Sequence, residues 1–509
     1  MICSVYSFSV TGIEASVIKV EADVSGGLPG IDLVGYLAGE VRESRERVRV
    51  AMKNSGFHVP AKRITINLSP ADERKGGTGY DLPIAMGILC ALEILPVDLT
   101  SGYGFVGELG LDGNVQSVPG ILSCVYEAKQ KGFHSVMIPA ANMEEGALVE
   151  GIHVYGVNTL AEAVCHFIGT GGSLAAPVPW NETAETGSEG DFAQIKGQFM
   201  AKRAAEIAVA GMHNLLLTGP PGSGKTMLAS RIPGIMPQLT FEESLELTKI
   251  YSVAGLLPET GGMMRRRPFR APHHTATIPA LVGGGRNPVP GEVTLATHGV
   301  LFLDEFPEFQ RGSIEVLRQP LEEKRIHVAR LNGSVEFPAK FMLVAAMNPC
   351  PCGYYPDRNR CSCTPDMIRR YQGRISRPIM DRIDLCAAMP GIRIQELSDS
   401  NMADADTSTR IRSRVERAME MQQNRYRNES FRFNSEVPGS VADRTFRIDK
   451  KASHILRTFA EESGCSARSY YRIMRVARTV ADLEGSDTVE EQHRAEAIGF
   501  RVEEDCYVS

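Results

Sequence analysis

The sequence predicts an α/β fold built around a phosphate-binding loop and a parallel sheet, with an α+β module before it and an all-helical module after it. Three observations predict this order. A glycine-rich loop stands between a strand and a helix near the middle of the 509 residues. Before it, β-rich stretches alternate with helical ones, and after about Glu396 the strand patterns stop. A chain of this length exceeds a single core, so several domains are expected.

The composition of residues 169–191 marks the boundary between the first two modules. This stretch is rich in glycine, proline and acidic residues and poor in apolar ones, so it is expected to be a linker. Helical spacing in residues 409–426 and 452–484 predicts the last module. The expected division is 1–168 for the first module, 169–191 for the linker, 192–395 for the phosphate-binding module and 396–509 for the helical module.

The overall composition is that of an ordinary globular protein, with 43% hydrophobic and 23% charged residues. A net charge of −6 argues against a uniformly basic nucleic-acid-binding coat but leaves room for a local basic channel. The longest apolar stretch, 82–97, is short for a bilayer span and contains Glu93, so it predicts a buried helix. The chain starts without a signal-peptide pattern, and its eleven cysteines are scattered. We therefore expect a cytoplasmic protein without membrane contact.

The glycine-rich loop fits the pattern G-x-x-x-x-G-K-[ST]. Its residues are Gly219, Pro220, Pro221, Gly222, Ser223, Gly224, Lys225 and Thr226. The apolar strand 215–217 precedes the loop and a predicted helix at 227–232 follows it, which argues against a chance match. Backbone N–H groups of such a loop surround phosphate oxygens. Lys225 is expected to neutralise the β- and γ-phosphates, and Thr226 is expected to hold Mg²⁺.

Polar side chains also follow two later apolar runs. Asp304 and Glu305 come directly after the strand 300–303, where parallel sheets carry their chemistry. Asp304 is expected to support Mg²⁺, and Glu305 to orient and polarise the attacking water. Asn348 ends the strand 341–347 and is placed to bond the γ-phosphate or the water. Each feature alone is also typical of a solvated strand end or a turn, and the preceding loop favours the hydrolytic interpretation.

Five segments resemble the magnesium-chelatase-like AAA+ ATPases of the YifB/ComM family. They are RPFRAPHH at 267–274, GVLFLDE at 299–305, AMNPCPCG at 346–353, RISRPIMDRIDL at 374–385 and SAR at 466–468. The resemblance runs from the first residues to near the C-terminus. It implies an AAA+ core with a helical lid, ATP and Mg²⁺ as ligands, and a ring of identical subunits, a hexamer, with ATP between neighbours.

The same resemblance implies roles for three polar residues. Asn348 corresponds to the sensor-1 residue, and Arg468 to the sensor-2 arginine on the lid. Arg382 corresponds to the arginine finger, which reaches the γ-phosphate on a neighbouring subunit and thereby ties hydrolysis to assembly. Without the resemblance, Arg382 would be interpreted as a surface ion-pair residue.

Residues 1–168 resemble the proteolytic domain of Lon-type proteases, an α+β fold like that of ribosomal protein S5. Such a protease needs a serine nucleophile and a lysine base. The alignment places Gly79 at the serine position and Leu122 at the lysine position, and neither can perform the chemistry. Thr78 and Lys75 remain as a replacement pair that would need specific mutual geometry. We expect the module not to be a protease and to have a structural or oligomer-organising role.

Residues 324–337 alternate polar and apolar side chains around Asn332-Gly333, which predicts a β-hairpin. Ring motors that the chain resembles place a pore-facing hairpin just before the sensor strand. The candidate contacts to DNA phosphates are Arg325, His327 and Arg330. Further arginines stand in 264–270 and in the loop around 283–286. Solvated faces or subunit contacts are the alternative interpretation.

Two C-x-C units predict a further candidate site. Their residues are Cys350, Cys352, Cys361 and Cys363. Four thiolates suit tetrahedral Zn²⁺, although this spacing is tighter than in most zinc knuckles. Reduced thiols or a redox-sensitive pair are the alternatives. His273 and His274 are a weaker metal candidate, because adjacent side chains on a regular element point in different directions.

Together these features predict a ring-forming ATPase that remodels or translocates DNA, with helicase activity. The ComM branch of the family that the chain resembles acts by branch migration during recombination-based transformation. The alternative is a chelatase-like motor that acts on a protein or metal-insertion partner. The two alternatives differ in whether DNA stimulates ATP hydrolysis.

Overall fold

The structure is a computed structural model, which describes residues 2–169, 171–176, 190–258, 262–285, 288–330, 333–391, 406–449 and 466–501. Within these ranges the chain forms an eight-stranded sheet, a five-stranded sheet and two short two-stranded ribbons. A helical region follows the second large sheet.

Ten strands belong to the first module. They are β1 Ile2–Thr11, β2 Glu14–Ser25, β3 Gly30–Val34, β4 Arg63–Ser69, β5 Tyr103–Phe105, β6 Glu108–Leu109, β7 Val115–Gln116, β8 Ser135–Pro139, β9 His153–Val157 and β10 Ser173–Leu174. The large sheet has the order β10-β9-β8-β5-β1-β2-β4-β3, and β6 and β7 form a separate ribbon. Antiparallel pairing joins β1 to β2, β2 to β4 and β9 to β10, whereas the other neighbours are parallel.

Helices cover the buried face of this sheet. They are Gly39–Asn54, Asp81–Ala91, Val97–Thr100, Ile121–Gln130, Met143–Gly146 and Leu160–Phe167, with a 3₁₀ turn at Ala140–Asn142. In β2, alternate residues Ile18, Val20 and Ala22 are fully buried, as expected for a strand with one face on the core. All residues of the helix Asp81–Ala91 are buried, which confirms the predicted buried helix. Its end is set by Glu93, which adopts a positive φ of 60°.

The structure uses both ends of the segment predicted as a linker. The strand β10 lies inside it and pairs with β9, and Ala175 N–H extends the pairing to Val154 O at 2.8 Å. At the other end, Asp191 accepts bonds from Ala193 N at 2.7 Å and from Ser408 N at 3.1 Å. The predicted linker therefore contributes an edge strand to one module and a cap to the next. Residues 177–189 lie outside the described ranges.

The second large sheet is parallel, as the sequence predicts. Its strands are β11 Leu215–Thr218, β12 Phe269–Arg270, β13 Val300–Leu303, β16 Met342–Met347 and β17 Leu385–Ala388. The order is β12-β13-β16-β11-β17, and every neighbouring pair is parallel. The strands β13 and β16 are completely buried, because helices cover both faces of a parallel sheet.

Helices and a hairpin surround this sheet. The helices are Phe199–Gly211, Lys225–Arg231, Phe241–Val253, Ile278–Val282, Glu292–Leu295, Arg311–Glu315, Arg318–Glu323, Pro365–Gln372 and Arg377–Met380, and the 3₁₀ turns are Phe192–Gln194, Ile232–Ile235 and Phe306–Glu308. The predicted hairpin is confirmed: β14 Arg325–Arg330 pairs antiparallel with β15 Gly333–Pro338. Residues 331 and 332 of its turn are outside the described ranges.

The C-terminal region is helical. Its helices are Ser408–Arg425, Gly439–Thr445, Ala467–Leu483 and Glu491–Gly499, with a 3₁₀ turn at Asn434–Glu436. They share one apolar core with the helix Phe199–Gly211. Gln422 Nε2 donates to Ala210 O at 2.8 Å, so a buried amide adds a polar tie to this packing. The first part of the helix predicted at 452–484 falls on residues 450–465, outside the described ranges.

Polar contacts join the first module to the second. Gly120 N–H donates to Ser252 O at 3.2 Å, and the Ser252 hydroxyl donates to Glu145. Burial raises the pKa of Glu145. Lys249 lies 3.3 Å from the Glu14 carboxylate and 4.0 Å from the ring centre of Tyr126. The helix Phe241–Val253 is therefore the docking surface for the first module. The helices of the described ranges include none that is long and apolar enough to cross a membrane.

Candidate nucleotide-binding site

Glycines shape the loop between β11 and the helix Lys225–Arg231. Gly222 and Gly224 have φ values of 76° and 89°, in the left-handed region that glycine adopts without a Cβ clash. At Gly219, a Cβ would lie 2.2 Å from the carbonyl oxygen of Met389. The loop can therefore turn its backbone N–H groups toward one point at a helix N-terminus, which is the arrangement that binds phosphate.

Lys225 is held inside this loop. Its Nζ donates to the carbonyl oxygens of Gly219 at 2.7 Å and Pro220 at 3.0 Å, and to Asn348 Oδ1 at 3.2 Å. Burial lowers the pKa of Lys225, and the negative charge of Asp304 opposes that change. The predicted sensor residue therefore contacts the predicted phosphate-binding lysine, because β16 lies next to β11.

The two residues predicted to bind Mg²⁺ also meet. Thr226 Oγ1 donates to Asp304 Oδ2 at 2.7 Å. A hydroxyl beside a carboxylate at a helix N-terminus fits Mg²⁺ held with a nucleotide triphosphate. The hydroxyl of Ser223 is buried and has no hydrogen-bond partner in the described part of the chain, which also fits an oxygen-rich ligand.

Glu305 follows Asp304 in a strained backbone conformation, with φ at +50°. Its N–H donates to Asp304 Oδ1 at 2.9 Å, and its side chain is 59% exposed. The Glu305 carboxylate contacts His274, whose Nδ1 lies 3.3 Å from Oε2. Sequence reasoning missed this contact, because it considered His274 only as a metal ligand paired with His273.

Arg382 and Arg468 lie at the other edge of the sheet. The carbonyl of Arg382 accepts a bond from Asn214 Nδ2 at 2.7 Å, and Asn214 directly precedes β11. The four residues of β11 rise by about 13 Å to the phosphate-binding loop. The Arg382 guanidinium binds Glu322, and Arg468 Nη1 donates to Asp381 Oδ2 at 3.1 Å. Both arginines thus lie at the edge of the sheet opposite the phosphate-binding loop of the same chain.

Comparison with known proteins shows the family. The family model described as magnesium chelatase, subunit ChlI, matches residues 191–397, and related ChlI models match 20–142 and 405–501. Competence protein ComM of Haemophilus influenzae is 42% identical over 98% of this chain and 97% of its own. Uncharacterized protein YifB of Escherichia coli is 40% identical over 98% of this chain and 96% of its own. The chain belongs to the YifB/ComM family of magnesium-chelatase-like AAA+ ATPases. Membership implies an ATPase that uses ATP and Mg²⁺.

The hairpin of this YifB/ComM family member presents two of the three predicted DNA contacts. Arg325 and His327 are 62% and 44% exposed. Arg325 pairs with Glu336, and His327 lies 3.6 Å from Glu336 and 3.9 Å from Glu323. Acidic neighbours therefore offset part of the positive charge. The side chain of Arg330 is outside the described part of the structure.

Two of the arginines expected to add to the basic surface are bound to acidic residues. Arg267 donates to the Glu243 carboxylate at 3.0 Å and to the carbonyl of His298 at 2.7 Å, and burial lowers its pKa. Arg270 makes two bonds of 2.7 Å to Glu292. These two guanidinium groups therefore help to hold the segment before β13 in place.

The four predicted zinc ligands come together. Their sulfur atoms all lie within 4.8 Å of one another. The Sγ atoms of Cys350 and Cys352 are 3.4 Å apart, those of Cys350 and Cys361 are 3.8 Å apart, and those of Cys352 and Cys361 are 3.6 Å apart. These distances exclude disulfides, whose sulfur atoms are ~2.0 Å apart. The backbone N–H of Tyr354 and the thiols beside Cys352 lower its pKa to about 6.

The first module contains Gly79 and Leu122, the two residues aligned with the serine and lysine of Lon-type proteases. Archaeal Lon protease of Methanocaldococcus jannaschii is 34% identical over 103 residues, or 20% of this chain. Leu122 is fully buried, and Gly79 has no side chain to react. Lys75 donates to the carbonyl of Glu73 at 2.7 Å, and within the described residues no hydrogen bond joins it to Thr78. The geometry therefore offers no support for a replacement pair.

Substitution of Gly353 tests how the segment that carries the four cysteines, residues 350–363, supports the phosphate-binding loop. Gly353 has φ at +85°, and a Cβ there would lie 2.4 Å from Pro221 Cδ. Because a proline ring cannot move aside alone, Gly353→Ala should displace the loop and weaken ATP binding about tenfold. Fluorescent-nucleotide titration measures this. Gly499→Ala is the control, since its Cβ would meet no atom within 4 Å. Equal nucleotide affinities in the two variants would contradict the inference that Gly353 supports the phosphate-binding loop.

Proposed function

We propose that this chain is an ATP-driven motor that assembles as a homohexameric ring and acts on DNA as a helicase or branch-migration enzyme. The observation that carries the proposal is the position of the hairpin. It lies between Glu305 and Asn348 in the chain, and β15 ends at Pro338, shortly before β16, which leads to Asn348. A change at the γ-phosphate would therefore move the exposed side chains of the hairpin through a short, buried strand.

The comparisons favour a DNA substrate over a small molecule. A relative 42% identical over 98% of this chain is named a competence protein. Contacts by Arg325 and His327, and by Arg330, would bind phosphates without reading sequence, as a translocating motor requires. Such a motor works where ATP and DNA are present together, which in a bacterium is the cytoplasm.

A motor that remodels a protein or metal-insertion partner is the alternative. The matches to magnesium chelatase subunit models favour it. So do Glu323 and Glu336, which lie beside the exposed side chains of Arg325 and His327 and reduce the attraction of the hairpin for DNA. In either case we propose that residues 1–168 act without proteolysis, because Gly79 and Leu122 occupy the positions of the nucleophile and the base.

Forked DNA should raise the rate of ATP hydrolysis several-fold. The stimulation should fall steeply as the salt concentration rises, because DNA binding releases counterions and added salt opposes that release. Glu305→Gln should lower hydrolysis at least ~100-fold with and without DNA, because the water loses its base. Arg325→Ala combined with His327→Ala should remove the stimulation. Arg63→Ala, an exposed arginine of the first module, is the control and should retain it. Intact basal hydrolysis without stimulation in the wild type would favour the protein partner.

Mixed rings test whether the arginines act across subunits. Lys225→Ala and Arg382→Ala should each be inactive alone, whereas an equimolar mixture should recover hydrolysis in up to about a quarter of the sites. In those sites an intact loop meets an intact arginine from its neighbour. The same recovery is expected when Lys225→Ala is mixed with Arg468→Ala. Lys225→Ala mixed with Glu305→Gln is the control and should stay inactive, because both residues belong to one subunit's site. If the two variants assembled together without recovering hydrolysis, the proposal that the arginines act on a neighbouring subunit's site would be contradicted.

We also propose that the cysteine cluster holds a structural Zn²⁺. A Zn–S bond of ~2.3 Å gives a tetrahedral edge of about 3.8 Å, close to the sulfur separations here. Metal analysis of the purified protein should find about one zinc per chain, and Cys350→Ser should lower it. Cys165→Ser, outside the cluster, should not. ATP hydrolysis should decline with zinc loss, because the loop joins Asn348 to Pro221. A zinc content near zero in the wild type would exclude the site.

A further inference from the structure

The segment RPFRAPHH ends beside the carboxylate proposed to activate water. His274 Nδ1 lies 3.3 Å from Glu305 Oε2. We infer that His274 is a positioning residue for ATP hydrolysis, which fixes the orientation of the Glu305 carboxylate toward the attacking water. The inference rests on the proposed role of Glu305 as the base and adds a residue from the turn that follows a different strand, β12.

Strand register places the two side chains together. β12 pairs in parallel with β13, with Phe269 opposite Val300 and Arg270 opposite Leu301. His274 stands four residues after Arg270, and Glu305 stands four residues after Leu301. Because both strands run to the same edge of the sheet, residues at equal distance beyond the paired positions meet there.

The start of the segment is anchored, so the register cannot slip easily. Arg270 is bound through two nitrogens to Glu292, and Arg267 is bound to Glu243 and to the carbonyl of His298. At Gly299, a Cβ would lie 2.1 Å from the carbonyl oxygen of Pro268, so the two chains approach closely where β13 begins. The anchored arginines of RPFRAPHH thus fix the position of β12, and the position of β12 determines where His274 lies.

Glu305 needs such a partner. Its neighbour Asp304 is held by Thr226 and by the Glu305 N–H. The Glu305 side chain, by contrast, is 59% exposed, and the backbone of this residue is in the left-handed region. A free glutamate samples several rotamers, and a base must be oriented before the transition state forms. At 3.3 Å from Oε2, an N–H at Nδ1 of His274 would hold that oxygen and leave Oε1 to accept a proton from water.

The two adjacent histidines have different surroundings. The ring of His273 lies 4.1 Å from that of His274, but its Nδ1 is 2.9 Å from Thr275 Oγ1, within its own turn. The His274 ring also meets Phe309 edge-on, with ring centres 6.5 Å apart. His273 is therefore a matched control: the same residue type, one position away, without the contact to Glu305.

The experiment compares steady-state hydrolysis and nucleotide affinity in the full-length protein. His274→Ala should lower kcat by about 10- to 100-fold and leave KM and the Kd for a fluorescent ATP analogue within about threefold, because only the orientation of the base is lost. His274→Asn, whose amide N–H can stand near the position of Nδ1, should recover part of kcat. His273→Ala should keep kcat within about twofold of wild type. A His274→Ala variant with unchanged or raised kcat, or with the loss confined to KM, would overturn the inference.

A double variant separates this inference from the proposed function. In single-turnover measurements, His274→Ala added to Glu305→Gln should slow hydrolysis no further than Glu305→Gln alone, because His274 acts through that carboxylate. Additive losses would overturn the positioning role. If Glu305→Gln itself retained hydrolysis, the proposed base would be wrong. If Glu305→Gln were inactive while His274→Ala kept a normal kcat, only the inference about His274 would fail. Should His274→Ala melt early, His274→Asn and His274→Gln, which preserve a donor, decide the question.

Discussion

The parallel register of β12, β13, β16 and β11 is the constraint on which the nucleotide site depends. Each strand ends at the same edge of the sheet and delivers one kind of group there. β11 delivers the phosphate-binding loop, β16 delivers Asn348, and β13 delivers Asp304 and Glu305. None of these groups is close to another in the chain, yet Lys225 reaches Asn348 and Thr226 reaches Asp304 without any rearrangement. A slip of one residue in any strand would turn its polar terminus to the wrong face of the sheet.

The opposite edge of the same sheet has its own organising group, the side chain of Asn214. Its amide donates to the carbonyl of Arg382, and its oxygen accepts from Leu343 N–H at 3.0 Å. The neighbouring His213 bonds Thr479 of the helical region at 2.9 Å and lies 3.3 Å from Asp384. The beginnings of β11, β16 and β17 and the helical region are therefore tied together at one end. A shift of the helical region would be transmitted to the arginines that gather there.

Local patterns predicted the parts of the site that one stretch of sequence determines. The loop and the hairpin followed from residue spacing within single elements, whereas Asp304, Glu305 and Asn348 followed from strand ends interpreted together with the loop. His274 could not be predicted in this way, because its contact with Glu305 depends on which strand pairs with β13. The partners of Arg267 and Arg270 depend likewise on acidic residues that are more than twenty positions away. The strand Ser173–Leu174 has too few residues, both exposed, to leave a pattern.

The two edges of the sheet explain why such an ATPase would work as an assembly. The carboxyl edge holds the phosphate-binding loop, the pair Thr226 and Asp304 proposed to bind Mg²⁺, and Glu305, proposed to activate the attacking water. The arginines that would stabilise the charge of the leaving phosphate are collected at the amino edge, about 13 Å of strand away. In the proposed ring, a subunit would complete its site when the amino edge of a neighbour faces its carboxyl edge. Such a contact would join two different surfaces head-to-tail, which is the kind of contact from which closed rings are built. The first module docks on the helix Phe241–Val253, and a Cβ at its Gly12 would lie 3.1 Å from the carbonyl oxygen of Glu336 in the hairpin. The first module is thus in a position to support the hairpin, a role that needs its shape and no proteolytic chemistry.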